Sequence, residues 1–398
     1  MNIFNIVYQI PSKQYNIFIN HDYLTIIKKY AISWQIVIIT DNLLLNLYVN
    51  DLKQLLLAHN FVVLVLILPR GESAKNIFYK TKLEKQMMEA NIQAQALCIG
   101  FGGGSIGDIA GFIASTYMRG INLLHIPTTL LAMVDSSIGG KNAINTKYAK
   151  NLIGTFFNPQ AIIINYCVLH SLPIKHFVNG MIEVIKIALT NDSLFFIYLE
   201  SYLLNILKIH KRQYKLLTKS NIKNNIYINQ LDYIINTAIA LKKYIIEIDP
   251  LDNNIRKTLN FGHTIAHGLE KLFNYKILHG YAVLVGILIE SQISTILNIL
   301  SKQDFSRILQ LTLSLDKYFP LTIINKIDIE QLLSIMLNDK KNYYHDSNTH
   351  KYAMILLKSI GVVAINDTLV THDVTRDIII QAIKQLQNTL NVLHFTDI

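Results

Sequence analysis

A short glycine-rich stretch follows an apolar, strand-like run and constrains the fold of this chain more than any other feature. The run at 96–99 leads into Gly102, Gly103 and Gly104, and a helical pattern of apolar residues that includes Ile109 comes directly after. Glycines lack a Cβ and let backbone amides approach a ligand, while the N-terminus of a helix presents free N–H groups to the same point. The sequence therefore predicts a strand, a turn and a helix that together bind an anion such as a phosphate.

Polar residues stand where several strands and helices of this region end. They are Ser105, Asp108, Arg119, Thr128, Thr129, Asp135, Lys141, Lys150 and Asn151. Ligands of open parallel sheets bind outside the carboxyl ends of the strands, so these side chains are candidates for a binding site. The spacing of Gly102, Gly104 and Gly107 also fits a dinucleotide-binding loop, but no acidic residue stands about 20 positions further on to bind a ribose. A glycine-rich turn without a ligand is the alternative at this point.

The alternation of strand-like and helical segments predicts the fold class. Strand patterns at 35–40, 62–68 and 121–126 are separated by helical patterns, which is typical of a parallel sheet covered by helices. In the second half the strand signal largely disappears, and long patterns of period 3.6 indicate helices. We therefore predict an α/β fold, with a Rossmann-like parallel-sheet domain at 1–176 and a mostly α-helical domain at 177–398.

Composition argues against a membrane and against a nucleic-acid partner. The longest plain apolar run, 61–68, is far shorter than the ~18 residues of a membrane span, so we expect a buried strand there. The 37 Lys and Arg against 27 Asp and Glu give a net charge of +10, but the basic residues are scattered and form no stripe with interleaved aromatic residues. The N-terminal residues alternate like a strand, at 3–10, and unlike a signal peptide, so we expect a cytoplasmic protein.

Three segments of the second half carry side chains that bind metals. They contain Glu183, the pair His263 and His267, and His279. The paired histidines are four positions apart and share one face of a helix, so both can bind one ion. Spacing alone nominates both as ligands, with Glu183 as an oxygen donor and His279 as a further nitrogen donor. An isolated histidine pair on a helix is more often structural, and only the other two groups favour a metal site.

Taken together, these segments resemble the 3-dehydroquinate synthase family, the NAD-dependent and metal-dependent cyclases of the shikimate pathway. The family pattern GGGxxGDxxGFxAxxYxRG, then PTTLLAxVDSSxGGKxxxN and a Gly-Lys-Asn segment, has its counterpart in the same order from Gly102 to Asn151. The chain departs from this pattern at Asn142 and Ala143, where Thr-Gly is usual, and at Ala149, where Gly is usual. The resemblance implies the family's fold and activity as expectations for this chain.

The resemblance implies an NAD+ site in the first domain. Glu72 and Lys75 match a PxGExxK segment whose Glu and Lys contact NAD+ in the family. Asp41 follows the strand at 35–40, where an acid either accepts ribose hydroxyls or caps the next helix, and the resemblance favours the ribose. The implied cofactor-binding residues are Asp41, Glu72, Lys75, Gly103, Gly104, Ser105, Asp108, Thr128, Thr129, Asp135, Lys141, Lys150 and Ser171.

The resemblance also selects among the metal-type residues. In the family the matches of Glu183, His263 and His279 bind one divalent ion, zinc or cobalt. The match of His267 stays uncoordinated there and accepts a proton. Spacing and resemblance therefore differ about His267, and we follow the resemblance.

Catalytic and substrate-binding roles follow from the same resemblance. The implied catalytic residues are His267, Asp252, Lys186 and Arg119. The implied substrate-binding residues are Arg119, Lys141, Asn151, Lys186, Lys242, Arg256, Asn260 and Lys341, with the neighbouring Lys340 as the alternative to Lys341. Asp252 stands where the family has a Glu that serves as a second proton acceptor. In the family the match of Arg119 reaches the substrate across the interface of a homodimer.

The implied reaction converts a phosphorylated sugar acid, 3-deoxy-D-arabino-heptulosonate 7-phosphate, to 3-dehydroquinate and phosphate. NAD+ oxidises the C5 hydroxyl transiently, phosphate is eliminated, the ketone is reduced again, and the opened enolate closes by aldol addition. Alternatives are another sugar-phosphate cyclase, an NAD- and metal-dependent polyol dehydrogenase, or a decayed copy that binds nucleotide without catalysis. Ile182 and Ala266, which replace the usual Ala and Gly, and the shortened Asp252 motivate the decayed copy.

Overall fold

Two compact units make up the described part of the chain. The computed structural model describes residues 14–213, 226–337, 351–366 and 368–396. One unit comprises Met1–Thr128 and Gly139–Asn165, and the other comprises Thr129–Ile138 and Tyr166–Ile398. The boundary between the units thus lies near residue 165, and the segment 129–138 belongs to the second unit although the residues on either side of it belong to the first. The sequence pattern predicts a single domain boundary at residue 176, and that boundary stays a prediction.

The first unit is built on a parallel sheet. Its elements in chain order are β1 (Asn16–Ile19), α1 (Tyr23–Tyr30), β2 (Gln35–Asp41), α2 (Asn42–Leu44), a π-helical turn (Leu45–Val49), α3 (Asn50–Leu57), β3 (Val62–Leu68), α4 (Ile77–Glu89), β4 (Leu97–Gly102), α5 (Gly104–Thr116), β5 (Asn122–Pro127), β6 (Lys141–Ile144), β7 (Ile153–Phe156) and β8 (Ala161–Ile164). In the described part of this unit, six strands pair in the order β1-β8-β5-β4-β2-β3, all in parallel, while β6 and β7 form a separate antiparallel hairpin. The predicted strands at 35–40, 62–68 and 121–126 are confirmed.

The position of β3 corrects one expectation. The run at 62–68 is a strand, but Val62 is 49% exposed and Ile67 is 41% exposed, so the expected full burial is wrong. The reason is the strand order, because within the described residues β3 lies at the edge of the sheet and pairs with β2 alone. An uninterrupted apolar run predicts a strand in a parallel sheet but does not say whether that strand is central.

The glycine-rich junction forms as predicted. Strand β4 ends at Gly102, Gly103 is the N-terminal cap of α5, and α5 begins at Gly104. A Cβ on Gly102 would lie 2.4 Å from Ile106 Cδ1 and 2.8 Å from its Cβ, because the first turn of α5 folds back onto the end of the strand. The same turn therefore needs glycine for close packing and leaves the helix N-terminus directly after the strand.

The second unit is mostly helical, and the predicted fold class is confirmed. Its elements are a π-helical turn (Ala132–Ser136), α6 (Ile174–Asn191), α7 (Ser193–Gln213), α8 (Ile226–Ile248), a 3-10 helix (Ile255–Asn260), α9 (His263–Leu272), α10 (His279–Ile296), α11 (Lys302–Leu313), α12 (Ile329–Leu337), β9 (Lys351–Ile355), β10 (Leu357–Ser359), β11 (Val362–Val363), β12 (Thr371–Thr375) and α13 (Arg376–Thr396). Strands β9 and β12, and likewise β10 and β11, form short antiparallel pairs that the sequence pattern did not predict. The core lies along α6 and α10, most of whose residues are buried.

Two predictions fall on residues outside the described ranges. They concern the first strand pattern, at 3–10, and the substrate-binding residue Lys341. Within the ranges that are described, none of the helices has the length and apolar character needed to cross a membrane.

A histidine is buried in the middle of the parallel sheet. His125 lies on β5, is 4% exposed, and its Nδ1 accepts or donates no hydrogen bond among the described residues. The imidazole packs tightly against Gly100, since a Cβ on that residue would lie 3.0 Å from Nδ1. Burial lowers the pKa of His125 to about 4, because the protonated ring has no solvent there.

This histidine predicts a loss of stability at acidic pH. The folded protein resists protonation of His125 until about pH 4, whereas an unfolded histidine takes up a proton near pH 6.5, so stability falls as the pH drops through that window. We expect His125→Leu to reduce the difference in unfolding free energy between pH 7 and pH 5 by about 2 kcal/mol. Denaturant titrations at both pH values measure it. His59→Leu, at an exposed position, is the control, and equal pH dependence of both variants would contradict the assignment.

Candidate active site

A network of charged and polar side chains lies at the start of α5 in the first unit. The carboxylate of Glu72 accepts hydrogen bonds from Ser105 Oγ at 2.6 Å and from Asn145 Nδ2 at 2.8 Å. Buried Lys75 forms an ion pair with Asp108, and its Nζ is 3.8 Å from Glu72 Oε1. Ser105 and Asp108 belong to the first two turns of α5, so these predicted cofactor residues do come together at the helix N-terminus.

Glu72 is ionised in this network. Burial works to raise the pKa of its carboxyl group, but Lys75, the hydrogen bonds from Ser105 and Asn145, and the charge of Lys150 outweigh that effect and lower the pKa. The network thus presents an acceptor of fixed orientation. A carboxylate of this kind can accept hydrogen bonds from a pair of hydroxyl groups.

Asn145 connects the network and was not among the predicted site residues. Its backbone N–H donates to Lys75 O at 2.8 Å, and its Oδ1 accepts from Asn151 N at 3.0 Å. Asn151, which is in the left-handed region at φ 52°, in turn accepts from Lys75 Nζ. Asn145 is the final residue of the GGKxxxN segment, and that fixed Asn is the signal that could have found it.

Asp41 performs the capping role that the sequence left open. Its Oδ1 accepts from Leu43 N at 2.8 Å and from Leu44 N at 3.0 Å, at the end of β2. Ribose binding by Asp41 stays a prediction and would use the other carboxylate oxygen.

The remaining predicted cofactor residues belong to both units. Thr128, Lys141 and Lys150 lie in the first unit, and Thr129, Asp135 and Ser171 lie in the second. Thr128 is buried, and its N–H donates to Gly102 O at 3.0 Å, directly beside the glycine-rich turn. Ser171 Oγ donates to Val168 O at 3.1 Å within a 3-10 helix.

Glu183, His263 and His279 form a candidate metal centre in the second unit. Glu183 is fully buried on α6, and its Oε1 lies 3.8 Å from His263 Nε2 and 3.5 Å from His279 Nε2. Each residue offers one ligand atom, and the three atoms lie within 4.8 Å of one another. One carboxylate oxygen and two imidazole nitrogens are the donor set of a catalytic zinc site with an open position.

Close helix packing brings these three side chains together. His263 is the first residue of α9 and His279 the first of α10. A Cβ on Gly286 of α10 would lie 2.0 Å from Gly262 O, and a Cβ on Gly280 would lie 2.3 Å from Asn179 O on α6. Both glycines are therefore required for the backbones to approach, although neither was singled out from the sequence.

His267 lies one helical turn after His263. Their ring centroids are 5.7 Å apart with the planes at 89°, whereas those of His263 and His279 are 5.2 Å apart. His267 is half-buried and does not belong to the group of three ligand atoms. This geometry supports the ligand set implied by the resemblance, and the role of each residue stays a prediction.

Two lysines form ion pairs with the acids of this region. Lys186 pairs with Glu183, and Lys242 pairs with Asp135, whose backbone carbonyl also accepts from Lys242 Nζ at 2.6 Å. Asp135 lies in the π-helical turn at Ala132–Ser136, a helix type often found at functional sites.

Burial and charge act in opposite directions on the pKa values here. Burial works to raise the pKa of Glu183, but Lys186 and His279 hold it below its ordinary value. Burial lowers the pKa of Lys242 despite the attraction of Asp135, and the nearby Lys186 adds to that decrease. The pKa of His279 rises to about 10 against the effect of burial, because Glu183 and Glu270 face its ring.

Asp249 organises the loop that carries three predicted residues, Asp252, Arg256 and Asn260. Its carboxylate accepts from Asn253 N at 2.9 Å, Asn254 N at 2.7 Å and Arg256 N at 3.1 Å. Asp252 has a left-handed φ of 63°, and Arg256 is buried with its Nη1 donating to Pro250 O at 2.6 Å. Asp249 was not predicted, because a lone Asp before a loop has no pattern that distinguishes it from a helix cap.

Arg119 lies at a strained point of the first unit. Met118 and Arg119 have positive φ values of 48° and 66°, and both side chains are exposed. Consecutive left-handed residues other than glycine cost stability and occur where the geometry is needed.

Two family models match the chain in succession. Residues 65–179 match the model described as 3-dehydroquinate synthase N-terminal, and residues 180–342 match the model described as 3-dehydroquinate synthase C-terminal. The 3-dehydroquinate synthase of Thermodesulfovibrio yellowstonii is 34% identical over 92% of this chain and 97% of its own length. The pentafunctional AROM polypeptide of Pneumocystis carinii is 38% identical over 82% of this chain, which spans 21% of that polypeptide.

A solved structure shares the fold. It is ValA, the 2-epi-5-epi-valiolone synthase from Streptomyces hygroscopicus subsp. jinggangensis 5008 with NAD+ and Zn2+ bound. The match has a TM-score of 0.82 at 21% identity and covers 96% of this chain and 99% of that one.

Proposed function

The chain belongs to the 3-dehydroquinate synthase family, and we propose that it converts 3-deoxy-D-arabino-heptulosonate 7-phosphate to 3-dehydroquinate and phosphate. The observation that supports this most strongly is the group of Glu183, His263 and His279, of which the first two are buried, with Lys186 beside it. The family's activity requires a divalent cation, and this group supplies the donors for one.

The residues present fit a divalent cation. Glu183 Oε1 is inaccessible to water and has no hydrogen-bond partner among the described residues, yet it faces two imidazole nitrogens, while Oε2 forms the ion pair with Lys186. Three such donors suit zinc, and a mixed nitrogen and oxygen set also accepts cobalt. ValA, which shares the fold, binds NAD+ and Zn2+. In this chain Glu183, His263 and His279 would hold the ion.

The first unit fits NAD+. Glu72 offers an oriented carboxylate to hydroxyl groups, while Gly103 and Gly104 expose the N-terminus of α5 to a pyrophosphate. Lys75, Asp108 and Asn145 hold Glu72 and its surroundings in place. When bound, NAD+ supplies a reversible hydride acceptor, and the cation supplies Lewis acidity toward the substrate's hydroxyl oxygens.

Residues of the chain then bind the substrate and move protons. Lys186, Lys242 and Arg256 provide the positive charge that a phosphorylated sugar acid needs, and Asn260 provides an amide. His267 accepts the substrate proton, and Asp252 is the second proton acceptor. Asp249 keeps the loop of Asp252 and Arg256 in one conformation through its three backbone contacts.

The alternatives are not favoured. The relatives that match over most of the chain and most of their own length are 3-dehydroquinate synthases, and the shared fold with other cyclases does not distinguish substrates. We also propose the cytoplasm as the location of this reaction, since the relatives are biosynthetic enzymes.

The activity is tested with purified protein, NAD+, Zn2+ or Co2+ and heptulosonate phosphate. We expect phosphate release with stoichiometric formation of 3-dehydroquinate and no net accumulation of NADH, because the ketone is reduced again within the cycle. A chelator-treated sample without added metal is the control. No phosphate release with both cofactors present would favour a decayed copy, and steady growth of NADH absorbance would favour a polyol dehydrogenase.

The role of His267 is tested against His263 by the same substitution in the same helix. We expect His267→Asn to keep near-stoichiometric metal while turnover falls by roughly 100-fold, the usual weight of a positioned acid or base. His263→Asn should lose metal affinity, because one of three ligands is removed. Elemental analysis of the two proteins decides the matter. If both lose metal alike, both histidines are ligands and Asp252 is the next candidate for the base.

We also propose a homodimer in which Arg119 completes the partner's site. The exposed, strained turn at Met118 and Arg119 supports a role for this side chain outside its own unit. We expect Arg119→Ala and Lys186→Ala each to be nearly inactive. Mixed after reversible dissociation, they should recover about one quarter of the wild-type activity, because half of the dimers are then mixed and have one intact site. No recovery in verified mixed dimers would place Arg119 in its own chain's site.

A further inference from the structure

Glu270 faces the candidate ligand His279 from the side opposite Glu183. Glu270 Oε1 is 3.4 Å from His279 Nδ1, while His279 Nε2 is directed at Glu183 Oε1, 3.5 Å away. Glu270 is 2% exposed, so its carboxylate is buried next to the ring. The two nitrogens of His279 thus point at two different carboxylates.

The second candidate ligand, His263, has a different arrangement at its own Nδ1. That atom is 3.2 Å from the backbone oxygen of Phe261, and Nε2 is directed at Glu183. A hydrogen bond at Nδ1 fixes the proton there and leaves Nε2 as the ligand atom. His263 obtains this from the main chain, whereas His279 obtains it from a side chain that a substitution can remove.

Glu270 is well placed to orient His279 because it lies on the other ligand's helix. Glu270 follows His263 by seven positions on α9, two turns further along the same face, and His279 opens α10. The backbone oxygen of Glu270 also accepts from Tyr275 N at 2.6 Å, in the turn between the two helices. One residue therefore contacts the ligand ring and the turn that leads to it.

We propose that Glu270 is a positioning residue of the metal centre, which fixes the orientation and the Nδ1–H tautomer of His279 and thereby strengthens cation binding. The proposal rests on the proposed function, since it assumes that Glu183, His263 and His279 bind the ion. A carboxylate that accepts the Nδ1–H hydrogen bond also makes Nε2 more basic, and therefore a stronger metal ligand, than a neutral acceptor does. Glu270 was not nominated from the sequence, although it closes the segment GHTIAHGLE that contains His263 and His267.

The test measures the metal affinity of the protein and does not use enzymatic activity. Zn2+ affinity is determined by competition with a chromogenic chelator, and the Co2+-loaded proteins are compared by visible absorption. We expect Glu270→Gln, which keeps an acceptor but loses the charge, to weaken Zn2+ binding roughly 10-fold. Glu270→Ala, which loses both, should weaken it about 100-fold and change the Co2+ spectrum.

Glu290→Gln is the matched control. Glu290 is a fully buried carboxylate on α10 that accepts from Gly262 N at 2.7 Å, and the Gln oxygen can keep that bond. We expect this variant to bind Zn2+ within threefold of the wild type. Equal weakening in Glu290→Gln and Glu270→Gln, or wild-type affinity and spectrum in Glu270→Ala, would overturn the proposal. If the wild type itself binds neither ion, the proposed function fails and not this inference alone.

Discussion

A buried carboxylate, that of Glu183, requires three helices of the second unit to pack closely around it. Glu183 is on α6 with no exposed surface, and an ionised group taken out of water carries a penalty of several kcal/mol unless positive or hydrogen-bonding groups surround it. Lys186, one turn later on the same helix, and the imidazoles of His263 and His279 surround this one. Because these histidines come from two other helices, three helix backbones must approach closely, and Gly262, Gly280 and Gly286 permit it.

In the first unit, a network of side chains surrounds a buried charged group, the ammonium of Lys75. Lys75, Asp108, Glu72, Asn145 and Asn151 contact one another, so that the buried lysine and its acids keep their partners and a fixed geometry. Side chains fixed in this way lose little further conformational entropy when a ligand binds. The glycine-rich turn contributes backbone groups next to the network and not further charges. The N-terminus of α5 thus favours an anionic group, while the carboxylate of Glu72 beside it favours hydroxyl groups.

The local sequence pattern predicted those structural elements that depend on residues close together in the sequence. The β4–Gly103–α5 junction and the strand at 35–40 were evident because alternation and glycine clusters report on the chain within a few residues. Strand order, by contrast, depends on long-range pairing, which explains why the exposure of β3 and the short pairs of β9 with β12 were missed. For the same reason no local sequence pattern indicates that the segment 129–138 belongs to the second unit.

The candidate metal group shows where spacing stops being informative. The four-residue spacing of His263 and His267 is equally compatible with two ligands or one, because it describes a single helix face. The third and fourth groups come from elsewhere in the chain, and only the resemblance chose Glu183, His263 and His279 over His267. Asn145, Asp249 and Glu270 were omitted for a related reason. They contact the predicted residues instead of carrying the chemistry themselves, and contacts are a property of the fold.

The departures from the family pattern are absorbed by packing. Asn142, in place of the usual Thr, is 4% exposed, and its Nδ2 donates to Gly140 O and Phe157 O at 2.9 Å each. Its side chain lies where a Cβ on Gly111 would sit, 1.8 Å from Asn142 Oδ1, so the glycine of α5 provides the room for the larger residue.

Around the metal group the same holds for two apolar replacements. Ile182 and Ala266 are fully buried, and they directly precede Glu183 and His267 without adding a polar group. An apolar replacement of this kind changes how tightly the helices pack, at a cost set by volume, and leaves the donors in place. A chain that had lost its selection for catalysis would have no reason to keep Glu183, Lys186 and His263 buried together beside His279 at such a desolvation penalty. The retained charges therefore argue for a working enzyme more strongly than the altered neighbours argue against one.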